Sequence, residues 1–102
     1  MSNNTQTTPI KGISRIGGLE IAYSIDTATN TITTSLNFDG LNLGNGTMTP
    51  EQPTQAIWKN LGLQQLSGEL TSDFENSSLE GKFEITEYGK VVYQNRETVV
   101  RW

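Results

Sequence analysis

The chain is predicted to fold as an all-β, mainly antiparallel domain, because its apolar residues recur at every second position rather than at a helical spacing. This alternation fills two long segments, 19–38 and 66–93. Short polar stretches with turn-forming residues divide each segment into strands. We therefore predict two three-stranded meanders, joined by a short helix, that bury their apolar faces against each other. The product is a small β-sandwich or a closed barrel of about six strands.

The length and the composition indicate a single domain. The sequence has 102 residues, and its 7 basic and 11 acidic side chains give a net charge of −4. This length suits one domain that has its own hydrophobic core. Residues 1–10 are polar, aperiodic and rich in Thr and Asn, so we expect a flexible N-terminal tail there. Residues 11–102 are expected to form the β domain.

The register of the first hairpin follows from its apolar pattern. The short polar segment 27–30 separates two alternating stretches, 19–26 and 31–38. Closing the hairpin at that segment sets every large apolar residue on one face, and a slip of one residue would destroy this agreement. The predicted pairs are Ile25 with Ile32, Tyr23 with Thr34, Ile21 with Leu36 and Leu19 with Phe38.

A third strand is predicted over residues 41–48. It follows Asp39-Gly40, which is a strong signal for a two-residue type I′ turn. This turn sets Leu36 opposite Leu43, again on the apolar face. Glycines within the strand, such as Gly44, indicate a bulge, a bend or a close approach of two backbones.

Residues 49–62 are predicted to form the short connecting helix. The segment begins with Thr-Pro-Glu-Gln, which matches a capping box with proline at the first helical position. Ile57, Trp58 and Leu61 share one helical face, and Gly62 suits a left-handed C-cap. Pro53 weakens the first turn, so Thr54 is an alternative start of the helix. A bent edge strand is the alternative to a helix.

The C-terminal third repeats the meander pattern. A turn over 75–78 and a three-residue loop over 87–89 divide it into strands. The predicted pairs on the apolar face are Phe74 with Leu79, Leu70 with Phe83, Ile85 with Val91 and Phe83 with Tyr93. On the opposite face Glu80 is predicted to face Arg96 as a cross-strand ion pair.

Composition excludes several classes of chemistry. The chain has no His and no Cys, which removes disulfides, imidazole and thiol catalysis, and the metal sites that these residues ligate. No phosphate loop, dinucleotide fingerprint or nucleophile elbow is present. The carboxylates that remain lie in turns or on flat strands without an evident cleft. We therefore expect no enzyme activity, no catalytic residue, no cofactor and no bound metal.

The charge pattern also disfavours nucleic acid and membrane partners. The 7 basic residues are scattered, whereas nucleic-acid binders carry a basic stripe. Anionic membrane surfaces attract the same kind of stripe. No apolar run approaches the roughly 20 residues that span a bilayer, and the first ten residues lack the features of a signal peptide. A cytoplasmic location is therefore expected.

An acidic patch on the outer face of the C-terminal strands is the first candidate binding surface. In the predicted register Asp73 faces Glu80, and Glu69 faces Glu84. Clustered carboxylates attract a cation or a basic partner. Flat strands rarely supply the convergent ligands that a metal needs, so a solvated, solubilising face is the favoured interpretation.

Aromatic side chains are the second group of candidates, because their rings can stack on a ligand. Tyr88 is expected to be exposed at the tip of a turn. Trp58 is expected to pack into the core at the end of the sheets. Trp102 is expected either to plug the core or to join an interface. Tyr23 and Tyr93 fall on the core faces and are expected to be structural.

The last strand is predicted to mediate self-association. Its runs 91–93 and 98–100 are apolar on both faces. Neither face is therefore polar enough to be fully exposed to water, as one face of an antiparallel strand commonly is. An unpaired strand at a sheet edge invites pairing unless barrel closure against the first strand covers it. We therefore predict a homodimer or small homo-oligomer, formed about a two-fold axis through this strand or through the outer face that carries Val92.

The function predicted from these features is that of a non-catalytic binding or assembly module with a protein or carbohydrate partner. Polar loops on an all-β chain without a catalytic constellation favour it. The alternative is a small β-barrel that binds an apolar small molecule, because apolar residues lie on every inner face. An internal pocket lined by Leu19, Phe38 and Phe83 would favour this alternative.

Overall fold

The computed structural model describes residues 9–102, and within this range the chain forms eight antiparallel strands and no helix. The strands are β1 (Ile10–Ile16), β2 (Leu19–Asp26), β3 (Thr31–Phe38), β4 (Leu41–Met48), β5 (Thr54–Asn60), β6 (Gln64–Asp73), β7 (Ser78–Glu87) and β8 (Lys90–Arg101). They form two four-stranded meanders, β1-β2-β3-β4 and β5-β6-β7-β8. No helix long and apolar enough to cross a membrane occurs within residues 9–102.

The two sheets share one core and form a sandwich, which confirms the predicted all-β antiparallel class. Each sheet has four strands instead of the predicted three, because β1 and β5 add one strand to each meander. β1 and β8 are spatial neighbours, yet no hydrogen-bonded ladder joins them among the described residues. The prediction of a closed barrel is therefore wrong.

β1 extends the first sheet by pairing with β2 along its whole length. The isoleucines of β1 are spaced by three residues, so successive ones lie on opposite faces of the strand. Ile13 is therefore exposed whereas Ile16 is buried, and the sequence shows no alternation that would predict this strand. Gly12 leaves the space that the ring of Tyr23 occupies, since an added Cβ would overlap that ring. Of the predicted tail, residues 1–8 lie outside the described residues, and Ile10 is the first residue of β1.

The β2–β3 hairpin has the predicted register at all four pairs, from Ile25 opposite Ile32 to Leu19 opposite Phe38. Its loop is held by Asp26, whose Oδ1 accepts the backbone N–H groups of Ala28 at 2.9 Å and Thr29 at 3.3 Å. The Ile, Leu and Phe side chains of the hairpin are buried. Burial of one face therefore fixes this register.

The β3–β4 turn is the predicted type I′ turn, with φ of +49° at Asp39 and +82° at Gly40. A bulge after Leu36 then shifts the register, so that Leu36 pairs with Gly44. The predicted pairing of Leu36 with Leu43 is wrong for this reason. Gly44 has a φ of +111°, which confirms the irregularity that glycine in this strand indicated.

The predicted helix over 49–62 is wrong, and the edge-strand alternative is confirmed. Thr49 and Gln52 exchange two backbone hydrogen bonds, of 3.1 and 3.0 Å, so the sequence that resembles a capping box closes a β-turn. The carbonyl of Pro53 then accepts hydrogen bonds from the backbone N–H of Ser72 at 2.8 Å and from its hydroxyl at 2.9 Å. Residues 54–60 continue as β5, because β6 offers them a complete ladder.

The β6–β7 hairpin keeps the predicted faces but not the predicted partners. Leu70 faces Gly81 instead of Phe83. Leu79 faces Ser72 instead of Phe74. The loop comprises residues 74–77, one residue earlier than predicted. A turn shifted by one residue displaces the pairing by two, which leaves each side chain on its original face.

The β7–β8 turn has two residues instead of the predicted three. Tyr88 and Gly89 have φ of +52° and +76°, which indicates a type I′ turn. A bulge after this turn sets Ile85 opposite Tyr93, so the predicted pairing of Ile85 with Val91 is wrong. Further along, Glu80 faces Thr98, and the predicted pair of Glu80 with Arg96 does not form.

The core lies between the sheets and contains side chains from both. Aromatic rings join the layers, since Phe83 of β7 lies 6.0 Å from Phe38 of β3. Within the second sheet, Phe83 also lies 6.1 Å from Tyr93 of β8. Its buried hydrophobic residues are Ile16, Leu19, Ile21, Ile25, Ile32, Leu36, Phe38, Met48, Ile57, Leu66, Leu70, Leu79, Phe83 and Val99. Leu19, Phe38 and Phe83 pack into this core, so they do not line the pocket that an apolar ligand would need.

Candidate binding surfaces

Large apolar side chains remain exposed at one end of the second sheet, where the 61–63 and 88–89 loops lie. Trp58 is 63% exposed, Tyr88 72% and Val92 55%. Leu63 and Val91 are also more than half exposed. We call these five residues the loop-end patch. A single exposed apolar residue is ordinary, whereas several at one end of a sheet make that end a candidate contact surface.

A bulge in β8 presents two valines on one side of the sheet. Val91 faces Thr86, and the next paired residue, Tyr93, faces Ile85. Val92 is the extra residue between these pairs. Because the ring of Tyr93 turns inward against Phe83, Val92 projects outward beside Val91, and both are exposed.

Tyr88 and Leu63 meet at the end of the sheet. The backbone N–H of Tyr88 donates to the carbonyl of Leu63 at 3.4 Å. Tyr88 occupies the left-handed region, with φ of +52°, which side chains other than Gly, Asn and Asp seldom adopt. As expected, its side chain is exposed at the tip of the turn.

The structure places the two tryptophans differently from the sequence-based expectation. Trp58 lies on the outer face of β5 opposite Ser67, and its exposed ring contradicts the predicted core packing. The physical reason is strand alternation, because its neighbour Ile57 is the residue that turns inward. Trp102 is partly buried and packs edge-on against Phe74 at 6.3 Å, so it covers the core.

The predicted pairs of facing carboxylates do not form, because of the shifted register of β6 and β7. Glu69 faces Lys82, and Asp73 faces Ser78. Glu80 lies between Thr71 and Thr98. Acidic and basic side chains thus alternate on this face and line a groove of about 220 Å³. Within residues 9–102, no group of three or more acidic side chains is arranged to hold a metal ion.

Asp73 has a local structural role at the end of β6. Its carboxylate accepts the side-chain amide of Asn76 at 2.7 Å and the backbone N–H groups of Asn76 and Glu75 at 3.0 and 3.1 Å. These hydrogen bonds, that of the Asn76 side chain foremost, lower the pKa of the Asp73 carboxyl. Asp73 and Glu80 therefore do not share a site, and Asp73 stabilises the loop.

The outer face of the first sheet carries a second groove, which sequence reasoning did not single out as a site. It has a volume of about 600 Å³. Its outward side chains are mostly hydroxyls and amides from the four strands: Lys11, Ala22, Ser24, Thr33, Ser35, Asn45 and Thr47. The signal in the sequence is the polar half of the alternation in 19–38, which predicts only that these residues lie outside.

The two outer faces of the sandwich thus differ in chemistry. The second sheet carries mixed charge with exposed apolar residues at its loop end. The groove of the first sheet is lined mostly by neutral hydroxyl and amide groups, with Lys11 as a cation among them. Comparison of the chain with protein-family models, curated proteins and solved structures found no match.

Proposed function

We propose that this protein is a non-catalytic assembly module that binds a second copy of itself through the loop-end patch. The observation that carries the proposal is the exposure of Trp58, Leu63, Tyr88, Val91 and Val92 at one end of one sheet. Interface centres are enriched in aromatic and aliphatic side chains of this kind, and Trp and Tyr are frequent energetic anchors.

The energetics favour covering this patch. Full burial of a large apolar side chain contributes roughly 1.5–3 kcal/mol relative to full exposure. The five residues retain at least half of their surface in contact with water. Association must offset lost translational and rotational freedom. We therefore expect a reversible interaction in which the patch supplies most of the affinity.

The charges beside the patch favour a second copy over a partner of opposite charge. On the outer face of the second sheet, Glu69 and Glu84 alternate with Lys82 and Arg96. A surface that carries both signs can oppose its own image about a two-fold axis, with acidic groups opposite basic ones. The net charge of −4 is small enough that repulsion between two copies is modest.

The outer face, rather than the free edge of β8, is the proposed contact. Two register shifts interrupt the pairing of β8 with β7. The strand also carries Lys90, Arg96 and Arg101, all exposed. Bulges and charged side chains are the usual devices that prevent strands from pairing at an edge. Val91 and Val92 lie on the face that these devices leave open.

The backbone of Tyr88 is a further argument. A tyrosine with φ of +52° is less stable in that conformation than asparagine or glycine would be. The side chain is exposed, so core packing does not account for its presence. Strained residues cluster at functional sites. Contact of the ring with a partner would account for a tyrosine at this unfavourable backbone position.

We propose a non-catalytic function because the chain lacks the side chains and pairings that acid–base or nucleophilic catalysis requires. The chain has neither His nor Cys. The carboxylates of the second sheet alternate with Lys82 and Arg96, and Asp73 is engaged in its loop. None of them faces another carboxylate across the strands, as an acid–base pair would require.

Sedimentation velocity over a concentration series tests the proposal. We expect a dimer to be populated as the protein concentration is raised to about 100 µM. At that concentration a dimerisation free energy of roughly 5–6 kcal/mol is sufficient. Val92→Lys places an unpaired charge in the contact and should shift the equilibrium towards monomer. Ile13→Lys is the matched control, because Ile13 is a β-branched residue on an edge strand with similar exposure, 57% against 55%. It should leave the dimer intact.

Either of two results would overturn the proposal. One is a strict monomer at about 100 µM, and the other is equal dissociation by Val92→Lys and Ile13→Lys. Circular dichroism and thermal unfolding show whether each variant is folded. If Val92→Lys does not fold, Trp58→Ser tests the same patch from the other edge of the sheet, and the same outcomes apply.

A further inference from the structure

We infer that the groove on the outer face of the first sheet is a binding site for a neutral oligosaccharide. This site is distinct from the loop-end patch, which belongs to the second sheet. The inference rests on three features of the groove: its shape, its low charge, and hydrogen-bonding groups that have no side-chain partner within residues 9–102.

Strand register arranges the polar groups in rows. Ser24 of β2 faces Thr33 of β3, and Thr33 faces Thr47 of β4. The adjacent outward row passes from Ala22 through Ser35 to Asn45. Neighbouring strands are about 4.8 Å apart, and successive outward residues of one strand are about 6.8 Å apart. The result is a grid of polar groups on the outer face of the sheet.

Side-chain size gives the grid its depth. The central strands contribute short side chains, with Ala22, Ser24 and Ser35 as the floor. The flanking strands contribute longer ones, Lys11 on β1 and Asn45 on β4. The groove therefore follows the central strands, and its volume of about 600 Å³ lies within the range of small-ligand sites, roughly 300–1,000 Å³.

The hydrogen-bonding groups of the groove have no side-chain partner within residues 9–102. Among the described residues, the side chains of Ser24, Thr33, Ser35, Asn45 and Thr47 make no hydrogen bond to one another or to the backbone. This contrasts with Thr34, which faces the other way and donates to Gln55 of the second sheet. Hydroxyl groups donate and accept at once, and the amide does both through separate atoms. A ligand rich in hydroxyls matches this set.

Charge selects the neutral class of ligand. Lys11 is the one charged side chain among the lining residues of the groove. An anionic ligand would require a cluster of cations or several converging N–H groups. At one end of the face, Arg15 is already paired with Glu20 at 3.2 Å. A peptide strand would seek an open sheet edge rather than the middle of a face.

An apolar contact lies next to the floor. Ile13 of β1 faces Ala22 of β2 across the ladder, and its side chain is exposed. The C–H face of a sugar ring can cover such a patch while its hydroxyls reach the polar rows. The site thus offers a small apolar surface beside rows of hydroxyl and amide groups.

The groove also remains accessible in the proposed dimer, because the contact lies on the other sheet. Two copies would then present two grooves, and a polymeric glycan that spans both would bind with higher avidity than one groove alone.

The test uses the full chain labelled with ¹⁵N. It is titrated with unbranched neutral oligosaccharides based on glucose, mannose or galactose, and with sialylated oligosaccharides for comparison. The inference is supported if at least one neutral series changes the backbone amide chemical shifts of residues around the groove in β1–β4 and leaves those of the second sheet unchanged. Thr33→Val combined with Thr47→Val removes two hydroxyls at nearly constant shape and should weaken binding roughly tenfold. Thr71→Val, an exposed threonine of the second sheet, is the matched control and should bind normally.

Three results would overturn the inference: no shift with any neutral series, binding of the sialylated series alone, or equal affinity of the double variant and the control. The double variant is compared only after its amide spectrum shows a retained fold. If it does not fold, Asn45→Ala replaces it with the same expected direction. Repeating the titration with Val92→Lys separates the two proposals, because loss of the dimer should leave binding to a single groove unchanged.

Discussion

The ring of Phe38 in the first sheet lies 6.0 Å from the ring of Phe83 in the second, centroid to centroid, at an interplanar angle of 51°. Each sheet contributes one ring to this contact, and Phe83 is fully buried. Tilted aromatic pairs of this kind add roughly 0.5–1.5 kcal/mol to the free energy of burial. The contact therefore links the stability of the two meanders.

Replacing Phe83 should measure this link directly. We expect Phe83→Ala to lower the free energy of unfolding by about 3–5 kcal/mol, through lost burial and the cavity that remains. A double-mutant cycle with Phe38→Ala should give a coupling of about 0.5–1.5 kcal/mol. Urea denaturation provides both values. Val92→Ala is the exposed control, expected within about 0.5 kcal/mol of wild type when monomers are compared. A loss below about 1 kcal/mol for Phe83→Ala would show that the ring is not in the core.

The sequence predicts the fold best where one face of a strand is fully buried. In the β2–β3 hairpin the predicted pairs, Leu19 with Phe38 among them, are those observed. The alternation there is complete, and the loop between the strands is short and polar. Burial and turn chemistry agree, so one register satisfies both.

Prediction fails where the turn, rather than the apolar pattern, sets the register. The face of Phe83 is predicted correctly, but its partner is Gly68 instead of Leu70. A shift by two residues leaves the apolar pattern unchanged, so the pattern cannot detect it. The carboxylate of Asp73 binds the amides of its loop and selects the connection that begins one residue earlier. This interaction depends on the three-dimensional path of the backbone.

The same reasoning explains what sequence could predict of the candidate surfaces. Tyr88 at a turn tip and Val92 on an exposed face follow from local pattern. Trp58 does not, because edge strand β5 buries little besides Ile57 and therefore lacks a clear alternation. The groove of the first sheet depends on which short and long side chains become neighbours across four strands, and only the register supplies that information.

Gly46 tests how the two sheets meet near the β4–β5 connection. A Cβ at this position would overlap the side-chain amide of Gln55, which accepts a hydrogen bond from Thr34 across the sandwich. We expect Gly46→Ala to lower stability by about 1–3 kcal/mol, because a packed side chain must move and its hydrogen bond is lost. Thermal or urea unfolding measures the change.

The matched background for this change is Gln55→Ala, which removes the obstructing amide. In that background Gly46→Ala should be close to neutral, since the strand residue then has space and glycine is the less favourable residue in a strand. Equal penalties in the two backgrounds would contradict the proposed contact between Gly46 and Gln55.

Asp73 should make stability depend on pH. Hydrogen bonds from Asn76 and Glu75 lower the pKa of its carboxyl in the folded protein. The stability that it contributes is therefore fully present above the pKa of the unfolded chain and is lost as pH falls through the folded pKa. Asp73→Asn should be less stable than wild type near neutral pH, and the difference should shrink in acid. Denaturation from about pH 7 to about pH 2 covers this range.

The control for this experiment is Glu75→Gln, which removes one negative charge from the same loop but leaves the backbone N–H of Glu75 bound to Asp73. Its difference from wild type should change little over the same range. A pH-independent penalty for Asp73→Asn would mean that the lowered pKa does not contribute to stability.

Tyr88 should trade stability for assembly. Asparagine adopts a left-handed backbone more readily than tyrosine, and Asn-Gly is the preferred pair for a type I′ turn. Tyr88→Asn should therefore stabilise the monomer by roughly 1 kcal/mol, because the φ of +52° is then less strained. The measurement is made in the Val92→Lys background, so that dissociation does not contribute to the unfolding free energy. Lys90→Asn, at an exposed strand position beside the turn, is the control and should give no gain, since asparagine is disfavoured in strands.

Without Val92→Lys, Tyr88→Asn should instead weaken the dimer in sedimentation experiments, because a ring is removed from the contact. A variant that gains stability and still dimerises like wild type would exclude Tyr88 from the interface, and one that loses stability would show that its ring supports the fold.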